Sequence, residues 1–156
     1  MDVNYQWDVP SIKTRKRNQL TIFGIGTTGI QAVEHLYRLA IKDVHFGICH
    51  TDEQLIRQSP VTDKLWYAPA FDDAEQNLAD DLRWMVGSSE LTIIIVDLSD
   101  SVDCYLVEEA VRIVRALDEL VIVVFGTRST DGHLPNHQIN QAIRDIEQLA
   151  TSCWAQ

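Results

Sequence analysis

The stretch "TIFGIGTTGIQAVEHL", Thr21 to Leu36, carries three glycines spaced Gly24-x-Gly26-x-x-Gly29 between an apolar run and a helical pattern. Such a turn sets free N–H groups and the positive end of a helix dipole where they favour an anion, so the chemistry on offer is phosphate binding. Gly24 and Gly26 let the backbone turn sharply and approach a ligand, and Gly29 permits close helix–strand contact.

These residues need elements to hold them, and strand and helix signals alternate along the chain. Strands are expected at 19–25, 44–50, 64–68 (a short edge strand), 91–97 and 120–126. Helices are expected at 29–41, 52–58, 72–86, 103–117 and 136–152. The run "LTIIIVD" is apolar throughout, as expected of a central parallel strand covered on both faces, and "LVIVVFG" reads as another buried strand. Asp72 and Glu75 have capping-box spacing. A strand–helix unit repeated five times predicts an α/β doubly wound three-layer sandwich, Rossmann-like, with a mostly parallel sheet of about five strands. Residues 19–156 form one nucleotide-binding-type domain in this reading. Ligands in such sheets sit beyond the carboxyl ends of the strands, where the strand order reverses.

Two ligand classes compete for that place. A dinucleotide such as NAD or FAD calls for Asp or Glu at the tip of the second strand, to bind ribose hydroxyls. That tip reads "ICHTDEQL", with Cys49 and His50 at the expected place and Asp52 slightly late. The glycine turn together with this second motif resembles the amino-terminal GTPase half of FtsZ, the bacterial tubulin relative. There the first loop runs G-x-G-G-G-G-G-N-A-V, and the second strand ends in N-T-D-x-Q-x-L. Matching positions are Gly24, Gly26, Gly29, Ala32, Val33, Thr51, Asp52 and Gln54. The resemblance implies an FtsZ-like domain with GTP or GDP as ligand and Gly24, Gly26, Thr27, Thr28, Gly29, Gln31, Thr51, Asp52 and Asp131 as the residues around it.

Departures from the family are as informative as the matches. The glycine-rich G-G-G-T-G-T-G loop after the fourth strand is replaced by "VDLSDSVDCYLVEEA", without glycine and with Asp97, Asp100 and Asp103. A like charge at ~6 Å and an effective dielectric of ~20 opposes a phosphate by roughly 3 kcal/mol, about a hundredfold in affinity. A cap and first-turn role for this acidic loop is the plain expectation, with Ser99, Asp100 or Ser101 capping the next helix. The sharper alternative is Mg²⁺ held by Asp97 and Asp100, which would cancel the repulsion. Thr27 and Thr28 replace two family glycines, Ile30 a third, and Gln31 replaces its Asn. After the fifth strand, "DGHLP" keeps Asp131 but places Pro135 where the family has an arginine. The family's long central helix, its acid-bearing loop and its carboxy-terminal domain are expected to be missing after Gln156.

No other catalytic constellation emerges. His133 and His137 lack a Glu-x-x-His context, Ser99 and Ser101 lack a nucleophile elbow, and adjacent Cys49 and His50 point to opposite strand faces. Trp66 and Trp84 suit a core or an interface better than a stacking platform.

The chain has 156 residues and a formal net charge of −10, which opposes binding to nucleic acid or anionic membranes. It has no apolar run of transmembrane length and no signal-peptide centre. Three widely spaced cysteines do not make a disulfide framework, so a reduced, cytoplasmic setting is expected. Residues 1–18 read as a flexible arm whose "KTRKR" segment, with Tyr5 and Trp7, offers a docking function. The reading that follows is a binding, assembly or regulatory module, working through a protein partner or self-association. Guanine-nucleotide binding is expected to be weak or lost, with no autonomous hydrolysis. The alternatives are a dinucleotide-binding regulatory subunit and a GTPase completed by a partner's catalytic loop.

Overall fold

The computed structural model describes residues 18–68, 74–86, 89–98, 101–126 and 136–151. Strands and helices alternate in the order β1 (Asn18–Ile25), α1 (Gly26–Arg38), β2 (Val44–His50), α2 (Glu53–Gln58), β3 (Asp63–Trp66), α3 (Ala74–Val86), β4 (Ser89–Asp97), α4 (Ser101–Ala116), β5 (Leu120–Gly126) and α5 (Asn136–Thr151). The sheet runs β3-β2-β1-β4-β5, and every pairing is parallel. The chain moves outward from β1 to β3, then crosses to β4 on the other side of β1. The strand order therefore reverses between β1 and β4, and their carboxyl ends open the crevice where a ligand is expected.

Period-two alternation along the strands divides the core into two layers. Ile22, Phe46 and Ile48 pack with Ile30 and Val33 of α1 and Ile56 of α2 on one face. Phe23, Ile25 and Cys49 face the opposite way, against Leu82 and Met85 of α3 and Leu106 and Val107 of α4. Ala142 and Ile146 of α5 complete that second layer. Each fully buried aliphatic side chain contributes roughly 1.5–3 kcal/mol of transfer free energy, and this drives both layers onto the sheet.

A polar chain also crosses four strands inside the protein. The Thr21 hydroxyl on β1 lies 3.4 Å from His45 Nδ1 on β2, and His45 Nε2 lies 2.5 Å from Asp63 Oδ2 on β3. On its other side Thr21 is hydrogen-bonded to the Ser89 hydroxyl of β4. Thr21 and Ser89 are fully buried, so their hydroxyls are paired inside the protein rather than with water.

Two expectations need correction. α1 begins at Gly26 and ends at Arg38 rather than spanning 29–41. Leu39 and Ala40 donate to the carbonyls of Leu36 and Tyr37, and Ala40 turns to a φ of 54°, which stops the helix. β5, expected to be buried, is a half-exposed edge strand. Val121, Val123 and Phe125 pack on the core, whereas Leu120, Ile122 and Val124 are 55%, 48% and 50% exposed. An unbroken apolar run does not distinguish a strand covered on two faces from one covered on a single face.

Candidate functional site

The crevice between β1 and β4 is built from the glycine turn and the first residues of α4. In the sheet register Ile25 lies beside Val96, so the start of α1 follows directly beside Asp97. Ile25 is the N-cap of α1 and offers no side-chain cap, and no acid of its own stands in the first turn. The helix therefore presents a positive end without a local counter-charge.

The three glycines divide the tasks of the turn between them. A β-carbon at Gly24 would collide with the backbone carbonyl of Gly29, and one at Gly29 with that of Ile95. Both therefore serve close packing of α1 on the sheet. Gly26 alone has a left-handed backbone, with φ 78°.

The space in front of Gly26 holds a carboxylate of the protein. A β-carbon at Gly26 would lie 2.6 Å from Asp103 Oδ2 and 3.1 Å from Oδ1. Asp103 stands in the first turn of α4 and is thus close to the amino-terminal ends of both α1 and α4. Both helix dipoles favour a negative charge there. A second acid, Asp97 at the end of β4, is 6% exposed and accepts a hydrogen bond of 3.3 Å from the Thr28 hydroxyl.

The remaining predicted residues are engaged in holding the loops. His50 Nδ1 accepts from the Asp52 N–H at 2.8 Å, so a neutral ring carries its proton on Nε2. That nitrogen lies 3.0 Å from the Thr27 hydroxyl and donates to it. Asp52 caps α2, its Oδ1 accepting from the Gln54 N–H at 2.9 Å. The Thr51 carbonyl accepts from Trp66 Nε1 at 3.0 Å. Gln31 is exposed and, with Thr27, Ile30, Glu34, Leu55 and Gln58, lines a cavity of about 270 Å³ between α1 and α2. Asp100 and Asp131 lie outside the described residues, as do Ser99, His133 and Pro135. Among the described residues no group of three or more metal-ligating side chains is assembled.

The sequence reading placed Asp103 in the first turn of the following helix as an acid opposing phosphate; its contact with Gly26, and that of His50 with Thr27, are what it missed. The tip of β2 is tied to the first turn of α1 through His50, and the glycine turn is covered by Asp103. Neither contact has a signal in residue spacing, because the partners meet only where separate strands end. Cys49, beside His50, is fully buried, and burial followed by the charges of Asp103 and Asp81 pushes its thiol far up. It is no nucleophile under such conditions.

Fold and crevice together define the class: a doubly wound α/β domain with the layout of the amino-terminal half of a tubulin-like protein. Solved structures with this layout include a tryptophan-to-tyrosine mutant of FtsZ from M. jannaschii, with a TM-score of 0.70, 13% identity, and coverage of 94% of this chain and 47% of that one. An empty FtsZ dimer from M. jannaschii has a TM-score of 0.70 and 13% identity, covering 93% of this chain and 46% of that one. CetZ from Methanosaeta thermophila has a TM-score of 0.63 and 10% identity, covering 83% of this chain and 43% of that one. The chain thus spans about half the length of the structures it is similar to, and at these identities the likeness is one of fold. No protein-family model matches the sequence, and no curated protein does.

Proposed function

We propose that this domain is a tubulin-fold binding module that acts through protein contact, its guanine-nucleotide crevice closed by its own acid. The observation that carries this reading is the Asp103 carboxylate on Gly26. A phosphate at the glycine turn would have to displace that carboxylate or share the space with it. Asp97 adds a second negative group on the same side of the turn. An internal carboxylate satisfies the positive helix ends without a ligand, so binding of GTP or GDP is weak or lost and the domain does not hydrolyse GTP alone.

The contact side of the reading rests on exposed aromatic surface. Trp66 on the edge strand β3 and Trp84 on α3 are 41% and 54% exposed. Tryptophan is enriched where protein surfaces meet, because it buries a large apolar area while keeping one polar handle. A dinucleotide site is a poorer fit than a closed guanine site, since His50 fills the tip of β2 and is already bonded to Thr27.

Isothermal titration with GTP and GDP, with and without Mg²⁺, tests the closed crevice. The expected result is no saturable heat at millimolar nucleotide. Micromolar affinity accompanied by phosphate release would overturn both the closed site and the non-enzyme reading.

A further inference from the structure

The edge strand β5 reads "LVIVVFG", seven residues without a charge or a proline. Natural edge strands of this length are blunted by charge, proline, a bulge or a covering segment, because open N–H and C=O groups recruit further strands. None of the first three is present, and among the described residues no element pairs with the outer side of β5. Its uncovered face shows Leu120, Ile122 and Val124, a row at the two-residue period of a strand.

The same chain contains a matching row. Val3, Tyr5, Trp7 and Val9 alternate with Asp2, Asn4, Gln6 and Asp8, and Pro10 follows. β-Branched and aromatic residues at period two, ended by a proline, have the pattern of a strand with one apolar face. We infer that residues 3–9 add to β5 as a sixth, antiparallel strand, placing Val3, Tyr5, Trp7 and Val9 beside Leu120, Ile122 and Val124.

Connection geometry supports this occupant. Asn18 opens β1 beside Ser89 of β4, and Leu91 of β4 lies beside Leu120 of β5, so β1 and β5 begin at the same end of the sheet. A sixth strand would lie three spacings from β1, about 14 Å at about 4.8 Å each. Residues 10–17 can span up to about 26 Å at about 3.3 Å per residue, so the tether reaches. Val9 then lies at the end of the sheet where β5 starts, which sets the added strand antiparallel. One antiparallel edge strand on an otherwise parallel sheet is a common arrangement.

Charge favours the same path. The connecting residues include Lys13, Arg15, Lys16 and Arg17 in a chain of net charge −10. At the end of the sheet that they must pass stand the exposed acids Glu90 of β4 and Asp118 of the turn before β5. A second copy of the chain could also lie on β5, but a short tether supplies its own segment at a high effective concentration.

Hydrogen–deuterium exchange on the full chain at two protein concentrations tests this, with the double variant Tyr5→Asp/Trp7→Asp compared with the unaltered protein. The expected result is exchange at least tenfold slower at residues 3–9 and at the outward-facing amides of β5 in the unaltered protein than in the variant, independent of concentration. Unchanged exchange in β1 and β2 confirms that both proteins remain folded. Residues 3–9 exchanging at random-coil rates in the unaltered protein would overturn the inference. So would protection of the β5 amides that face away from β4 if it survives the double variant, or if it rises with concentration as a second copy requires.

Discussion

The carboxylate of Asp103 rests on Gly26: its nearer oxygen lies 2.6 Å from where a β-carbon of that glycine would stand. An acid from the fourth helix therefore occupies the space in front of the glycine turn that opens the first.

If charge is what closes the crevice, Asp103→Asn removes it while keeping the side chain's size. Affinity for GDP or pyrophosphate should then rise by roughly a hundredfold or more, since a like charge even ~6 Å away opposes a phosphate by about that factor at an effective dielectric of ~20. Isothermal titration of the variant against the unaltered protein reads this directly. Equal affinities in the two proteins would show that Asp103 is not the barrier.

Replacing Gly26 by alanine forces a side chain into a left-handed backbone and against Asp103. A loss of about 1–3 kcal/mol in urea unfolding is expected. The steric share should shrink in an Asp103→Gly background, so the two substitutions should be non-additive by about 0.5 kcal/mol or more. Gly24→Ala should cost more than Gly26→Ala, since its obstacle is the backbone of Gly29 rather than a side chain that can move.

Thr21 sits between Ser89 and His45 in the polar chain across the sheet. Thr21→Val keeps the shape and deletes the hydroxyl, leaving the buried Ser89 without this partner. The expected loss is about 1–3 kcal/mol, measured as a lower denaturant midpoint at unchanged slope.

Glu108 on α4 has its carboxyl raised above the ordinary range, first by burial and then by Asp145 of α5, with Arg112 acting in the opposite direction. The folded state thus holds this proton more tightly than the unfolded chain. Ionising Glu108 costs stability as pH rises through the window between the ordinary glutamate value and the raised one, and the cost is absent below that window. Glu108→Gln should be the more stable protein at pH 7, by less than about 1 kcal/mol, because the site is partly solvated. The difference should vanish in acid, as thermal melts at a series of pH values would record.

Cys49 and Cys104 are buried thiols. In a Cys153→Ser variant, a thiol reagent should react with neither on the timescale of free cysteine, and with both once denaturant unfolds the chain. Rapid reaction of Cys49 in the native protein would contradict its enclosure beneath the crevice.

The order of strands and helices was legible in the sequence because periodicity is local information. Ile30 and Val33 repeat as a helix face, and "LTIIIVD" is an apolar strand run, whatever lies elsewhere in the chain. The glycine spacing likewise marked a strand-to-helix turn, since Gly26 needs its positive φ for reasons contained within a few residues. The tertiary structure alone decided which strand is at the edge, so "LVIVVFG" became a half-exposed border instead of a buried strand. It also brought Asp103 onto Gly26 and His50 onto Thr27. Those contacts join the ends of different strands, and their positions follow from the reversal of strand order between β1 and β4, a relation in space that no local pattern of residues encodes.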